Sequence, residues 1–209
     1  MSETFAYDNL FAGSQRDIVN RIATVALAQS LSRGDLVGRI LRAIGAAAAD
    51  PGNTGEGTID DEALGAKAVV GTYTATCVDI GTPAIFEVVD PNGLRLEDAY
   101  AEEAYDGPVA FLIEAYGTAF AVGDVFTVVV GAGSLQVIEA DLGGLDGSAE
   151  PYGIMAEDVD ATAAATRTTV YTEGEFSEDN VGYAAGEDAD DWRELCAAKG
   201  IYLRATTAV

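Results

Sequence analysis

The chain has 209 residues, 35 of them acidic and 11 basic, for a net charge of −24. That balance excludes nucleic acid and anionic membrane as partners, because both are held mainly through clustered Lys and Arg and no such cluster is present. Histidine is absent altogether, which removes Ser-His-Asp and Cys-His catalysis, His-ligated zinc and the usual near-neutral proton shuttle.

The length suits one large or two small domains, and a hydrophobic fraction of 49% is enough to give each a core. Its 24 glycines, few prolines and many Thr, Val and Tyr residues favour strands and turns, so the expected fold is mainly β, a β-rich α+β chain with helix in the minority. Both lysines, Lys67 and Lys199, follow alanine, so no Gly-Lys-Ser/Thr phosphate loop exists, and neither a Gly-x-Ser-x-Gly elbow nor a Gly-x-Gly-x-x-Gly turn occurs.

Residues 1–13 mix Phe5, Tyr7, Leu10 and Phe11 with acids and Gly13, lack a clean period, and read as an arm. Two readings stand: a frayed terminus, or a segment that orders on a partner through Phe5, Tyr7, Leu10 and Phe11. No base precedes Arg16, so no secretory or targeting segment is expected, and the longest uncharged apolar stretch, Ile22 to Leu31, is too short to span a bilayer. From Ile18 onward, β-branched Ile18, Ile22 and Val25 suggest a strand, then Ser32-Arg-Gly-Asp turns the chain into a second strand at Leu36-Val-Gly-Arg-Ile-Leu. A helix over 18–31 competes, since the same residues also recur at helical spacing.

Gly45-Ala-Ala-Ala-Ala-Asp-Pro-Gly-Asn-Thr-Gly-Glu-Gly reads as a small-residue linker. After it come strand-like runs at Ala68 to Val78, Ala84 to Val89, Val109 to Ala115 and Val125 to Val130, punctuated by Asp90-Pro-Asn-Gly and Val122-Gly-Asp turns. Short strands at this spacing suggest a small β-sandwich or barrel. Further strands follow at Leu135 to Glu139, Tyr152 to Ala156 and Thr168 to Phe176. A helix is predicted over Asp190 to Gly200, with Trp192, Leu195, Cys196 and Lys199 on one stripe, acids in its first turn and Gly200 at C′. Ile201 to Arg204 closes the chain as a strand. The expected organisation is an arm over 1–13, a discontinuous core domain over 14–49 plus 134–209, and an inserted β-domain over 50–133.

Cys77 and Cys196 fall in different domains, on a half-buried strand and on the helix stripe, and are expected as buried free thiols of a protein made in a reducing cytoplasm. Carboxylate clusters at Asp50 to Glu62, Asp141 to Glu150, Glu157 to Asp160 and Glu187 to Asp191 do not match the calcium-loop pattern and read as solvated loops, so no metal and no cofactor are expected. Acids are the only catalytic residue type in abundance, and a paired-carboxylate glycosidase would need an aromatic-lined cleft that the single Trp192, committed to the helix, does not supply. No enzyme is expected.

Two blocks resemble a known family. Leu31-Ser-Arg-Gly-Asp-Leu-Val-Gly-Arg-Ile is one; the other is Tyr152-Gly-Ile-Met-Ala-Glu-Asp-Val-Asp-Ala-Thr with Thr169-Val-Tyr-Thr-Glu-Gly-Glu-Phe and Leu195-Cys-Ala-Ala-Lys-Gly-Ile. In order and spacing they are similar to lambda-type head decoration proteins, which coat the capsids of tailed phages. The resemblance implies a capsid decoration protein that binds the outside of the expanded head as a homotrimer at three-fold and quasi-three-fold sites and stabilises it against internal DNA pressure. It implies the major capsid protein and the chain itself as partners, and the outer virion surface as location. It also assigns the arm, with Phe5, Tyr7, Leu10 and Phe11, to capsid contact through strand addition. The inserted domain departs from a minimal decoration protein. Its Tyr100, Tyr105 and Tyr116 could stack on a host-surface glycan, so a carbohydrate-binding or adhesin-type surface module is the alternative, with core or rim packing as the plainer role for these rings.

Overall fold

Apolar and polar residues alternate along most of the chain, and in this computed structural model, which describes residues 9–12 and 17–205, nearly every such run is a strand. The chain divides into two units, Met1–Ile40 with Leu135–Val209, and Leu41–Ser134 between them. The first begins with β1 (Val19–Val25), β2 (Ser30–Leu31) and β3 (Leu36–Arg39). The second holds β4 (Arg42–Ala49), β5 (Thr58–Leu64), β6 (Gly71–Asp79), β7 (Ile85–Val89), β8 (Ala99–Tyr100), β9 (Ala104–Asp106), β10 (Val109–Glu114) and β11 (Val125–Ala132). The chain then returns to the first unit as β12 (Val137–Glu139), β13 (Pro151–Met155), β14 (Val159–Asp160), β15 (Thr166–Ser177), helix α1 (Ala189–Ala197) and β16 (Ile201–Arg204).

In the first unit β1, β12, β3, β13 and β15 pair in that order and β15 pairs back with β1, closing a small barrel that has no open edge. β16 runs parallel to the far end of β15. Val25, Val37, Val137, Met155 and Val170 fill the barrel. A second core lies on the outside of the same wall, where Leu36, Ile154 and Phe176 meet Trp192 and Cys196 of α1, Ile201 and Leu203 of β16, and Leu10. Leu36 and Val37 point to opposite faces of β3, yet both are buried because both faces are covered. Gly38 follows for a different reason: a Cβ there would lie 2.5 Å from the Ser148 carbonyl oxygen, so the backbone approach needs glycine.

The helix starts on a capping box in which the Asp188 carboxylate accepts from the Asp190 and Asp191 N–H groups and the Asp191 side chain accepts from the Asp188 N–H. Trp192 and Cys196 are buried as the stripe requires, and burial pushes the Cys196 thiol up to about 12. Leu195 departs from the expected stripe and is exposed, because only a narrow face of this short helix meets the barrel. Lys199 lies outside the helix and pairs with Glu150 at 3.4 Å, and Gly200, with φ +82°, comes two residues after the Ala198 cap rather than at C′.

The second unit has two sheets, β4-β11-β6-β7-β8 and β5-β10-β9, over one core. Alternation puts Tyr73, Ala75 and Cys77 of β6, Val109, Phe111 and Ile113 of β10, and Phe126, Val128 and Val130 of β11 inside. Phe120 meets Phe86 edge-on at 5.1 Å and Phe126 at 6.1 Å. Two elements differ from the sequence-based expectation. The alanine run is not linker but strand β4, hydrogen-bonded to β11, where small side chains suffice because only Ile44 and Ala47 pack on the core. β5 is a strand despite Asp60-Asp61-Glu62, which stay exposed or half-buried while Ile59 is buried.

Many of the acids close turns. Carboxylates of Asp50, Asp79, Asp90, Asp141 and Asp160 each accept from the N–H two residues on, which fixes the loop without burying a charge. Asp124 goes further: buried, it accepts from Thr54 N–H at 2.7 Å, Gly55 N–H at 3.0 Å and Ala121 N–H at 2.8 Å. Burial alone would raise this carboxyl, and the three backbone donors outweigh it and hold it below the ordinary aspartate range.

Candidate functional site

The first surface worth weighing is where the N-terminal segment meets the barrel. Phe11 bridges Phe176 in antiparallel fashion, the Ala12 N–H donates to the Glu175 carbonyl at 3.1 Å, and the Ser177 N–H donates to the Leu10 carbonyl at 2.8 Å. The segment thus continues, on the same side of β15, the ladder that β1 makes further along it. Leu10 is 1% exposed, inserted into the outer core beside Phe176 and Trp192. Phe11 covers that core, edge-on to Tyr171 at 5.3 Å and 5.7 Å from Phe176, with the Arg33 guanidinium 6.0 Å above its ring. Asn9 donates to the Asn180 side chain at 2.6 Å, and Asn180 in turn donates to the Ser177 hydroxyl, so the short 3-10 helix at Glu178–Asn180 holds Asn9 in place.

Phe11 and Tyr171 open onto a strip shared by β1 and β15. The outward face of β1 presents Asn20, Ile22 and Thr24 opposite Tyr171, Thr169 and Arg167 of β15. Ile22 is 67% exposed, an apolar side chain standing among polar neighbours of which Arg167 is the charged one, on a chain of net charge −24. Alternation along Asn20, Ile22 and Thr24 is the signal that could have identified this face; Ile22 entered the sequence reading only as a β-branched strand former, with a helix over 18–31 as competitor.

Of the expected capsid-contact residues, Phe5 and Tyr7 lie outside the described residues. Leu10 belongs to the core rather than to a free arm, because its side chain fills the space between the barrel wall and the helix, and Phe11 is half-buried over it. The expected glycan residues do not form one platform. Tyr116 is 75% exposed and Tyr100 is exposed, but Tyr105 is 8% exposed and stacked on Phe111 at 4.7 Å, an inward position of its strand. Burial raises its hydroxyl above the ordinary tyrosine pKa, further by the charge of Glu97.

One acid in the first unit, at the end of β12, is shifted the opposite way to Asp124. Burial, then the charges of Asp35, Asp141 and Glu187, raise Glu139. Among the described residues no group of three or more acids and cysteines is arranged to hold a metal ion.

The family model described as bacteriophage lambda head decoration protein D matches residues 1–201. No curated protein matches the chain. Among solved structures, FlgL from Xanthomonas campestris in two crystal forms is 22% identical over 54% and 52% of this chain and 34% and 33% of that protein, with a TM-score of 0.33 in each. The flagellar junction protein FlgL from Legionella pneumophila is 15% identical over 55% of this chain and 38% of its own, with a TM-score of 0.31. This chain thus spans only about a third of the length of each.

Proposed function

The chain belongs to the family of the bacteriophage lambda head decoration protein D, a structural family, and we propose that it binds the outer surface of the expanded head as a trimer. It is a component of the virion capsid. In this reading, made in the host cytoplasm, it docks at three-fold and quasi-three-fold positions, clamps neighbouring major capsid subunits and stabilises the shell against internal DNA pressure.

The observation that carries the reading is the anchored segment at Asn9 to Ala12. Residues 1–8, with Phe5 and Tyr7, form the capsid-binding arm, and Leu10 and Phe11 are its root rather than its contact surface. A root tied by two backbone hydrogen bonds and a buried leucine transmits the arm's load to the barrel. The arm gains main-chain hydrogen bonds by strand addition and buries its rings at about 25 cal/mol per Å². The strip around Ile22, whose six residues Asn20, Ile22, Thr24, Arg167, Thr169 and Tyr171 include no acid, supplies the trimer contact, since copies this acidic can meet closely only where no carboxylates face one another. Three arms on one trimer bind far more tightly than one.

The test is co-sedimentation with expanded heads and with unexpanded precursors, comparing the full chain with one lacking residues 1–8. Removal stops short of Leu10 so that the outer core stays whole. Saturable binding to expanded heads, lost with residues 1–8, is the expected result. Equal binding with and without those residues removes the arm from the mechanism, and no binding to either shell overturns the capsid reading.

A further inference from the structure

The second unit carries surfaces of opposite character at its two ends. Where β5 passes to β6, Lys67, Val69 and Val70 stand exposed. This knob is stiff: the Arg42 guanidinium donates to the Ala68 carbonyl at 2.6 Å, the Val69 N–H donates to the Tyr73 hydroxyl at 2.8 Å, and Ala68 between them is buried. Arg95 is committed to Glu87 and Asp98 and Arg42 to that carbonyl, so among the described residues of the unit Lys67 is the cation whose side chain has neither an ion-pair nor a hydrogen-bond partner.

At the other end is a cavity of about 510 Å³ whose walls include Ile80, Pro83, Ala119 and Phe120 and whose charged groups are both carboxylates, Glu102 and Glu103. Alanines at several wall positions leave it unfilled. Glu102 is held in place, at φ +65°, with its Oε1 accepting the Ala115 N–H at 2.6 Å, while Glu103 is exposed at the rim. Its size is that of a ligand pocket, and its chemistry asks for an apolar group beside a cation.

The nine residues of β6 separate knob from cavity, about 30 Å at roughly 3.3 Å per residue, so one copy cannot join its own two ends. We propose that the second unit links copies of the chain head to tail, the Lys67–Val70 knob of one copy seated in the Ile80–Phe120 cavity of the next with the Lys67 ammonium between Glu102 and Glu103. The occupant is a second copy because the knob supplies what the cavity lacks, valines and an unpaired cation, in a chain where cations are scarce. Such a contact is heterologous, and closes a ring or extends a row according to how the copies are held. Two valines and one ion pair are far less than a standard interface, so the contact is weak singly and gains strength when many copies are arrayed on one surface. It involves no residue of the arm or of the first unit, and stands apart from the docking proposed above.

The test is cross-linking in solution, without any capsid. A Val70→Cys chain is mixed at millimolar concentration with a Thr82→Cys chain and treated with a short bis-maleimide; the native Cys77 and Cys196 are buried, and the unsubstituted chain is the control. The expected product is a covalent pair of one chain of each kind. Adding Lys67→Glu to the Val70→Cys chain reduces it at least about tenfold, and adding Glu103→Lys to the Thr82→Cys chain then restores it. Absence of the mixed pair, links between two Val70→Cys chains instead, or a yield indifferent to both charge reversals overturns the proposal.

Discussion

The two units solve the same problem, burying the apolar faces of short strands, in different ways. The second unit gathers its buried residues into one core between two sheets, with Phe86, Phe120 and Phe126 at its centre and, among the described residues, none from elsewhere in the chain. The first splits its apolar residues between the inside of a barrel and the outside of the barrel wall, and the outer core is complete only when Leu10 is in place. One unit is therefore self-contained, whereas the other is finished by the root of the segment proposed to grip the capsid. Arm and fold are coupled in the first unit, and the second is left free to present its surfaces.

The largest effect expected tests that separation. Phe126→Ala empties the centre of the second core and should cost about 3–5 kcal/mol there. Trp192 is the only tryptophan and sits in the outer core of the first unit, so its fluorescence reports that unit alone. In denaturant titration the loss should appear in the far-ultraviolet circular dichroism while the tryptophan midpoint stays put. Coincident shifts in both signals would show that the units unfold as one.

Leu10→Ala sharpens the other half of the comparison. Truncating a side chain buried against Phe176 and Trp192 should lower the tryptophan midpoint by the equivalent of about 2–5 kcal/mol, whereas deleting residues 1–8 should leave it unchanged. If Leu10→Ala is silent, the root does not complete the outer core and the coupling of arm to fold fails.

The same contrast explains what was legible beforehand. β6, β10 and β11 could be read because one face of each is buried and the other is not, which writes a period of two into Tyr73-Thr-Ala-Thr-Cys and Phe126-Thr-Val-Val-Val. β3 and β13 lie between two cores, so their residues are buried on both faces and their period is lost, and the barrel closure they make could not be derived from pattern. β4 and β5 failed as predictions for opposite reasons, the first too poor in bulky residues and the second too rich in acids, because partner strands rather than their own side chains hold them. The helix was visible through the acids of its first turn and its Trp192/Cys196 spacing, but not its Asp188 cap or which flank would face solvent. Of the candidate residues, Leu10's inward turn could not be read from the sequence, since the pairing that buries it joins residues more than 160 positions apart.

Asp124 gives the second unit a pH dependence of definite sign. Its folded pKa lies below the unfolded value of about 3.9, so the stability it contributes is complete above that pH and is lost as pH falls through the lowered folded value. Asp124→Asn should remove that acid-side slope and cost about 1–3 kcal/mol at neutral pH, since an amide cannot accept from all of Thr54, Gly55 and Ala121 as the carboxylate does. Circular dichroism midpoints between pH 7 and pH 3 check it. Glu139 in the first unit runs the other way: its raised folded pKa favours the protonated form, so its contribution weakens as pH rises through the carboxylate range. An unchanged acid-side slope in Asp124→Asn would assign that slope to other carboxylates.

The smallest effect lies at the helix cap. Asp188→Ala removes the acceptor for the Asp190 and Asp191 N–H groups and should cost about 1 kcal/mol. Because the helix contributes Trp192 and Cys196 to the outer core alone, the loss should register in the tryptophan midpoint and leave the second unit's circular dichroism transition where it was. Asp188→Ser, which keeps an acceptor at the cap, should recover most of it. Recovery by serine would place the effect in the cap hydrogen bonds; none would place it in the negative charge at the helix N-terminus, which serine does not restore.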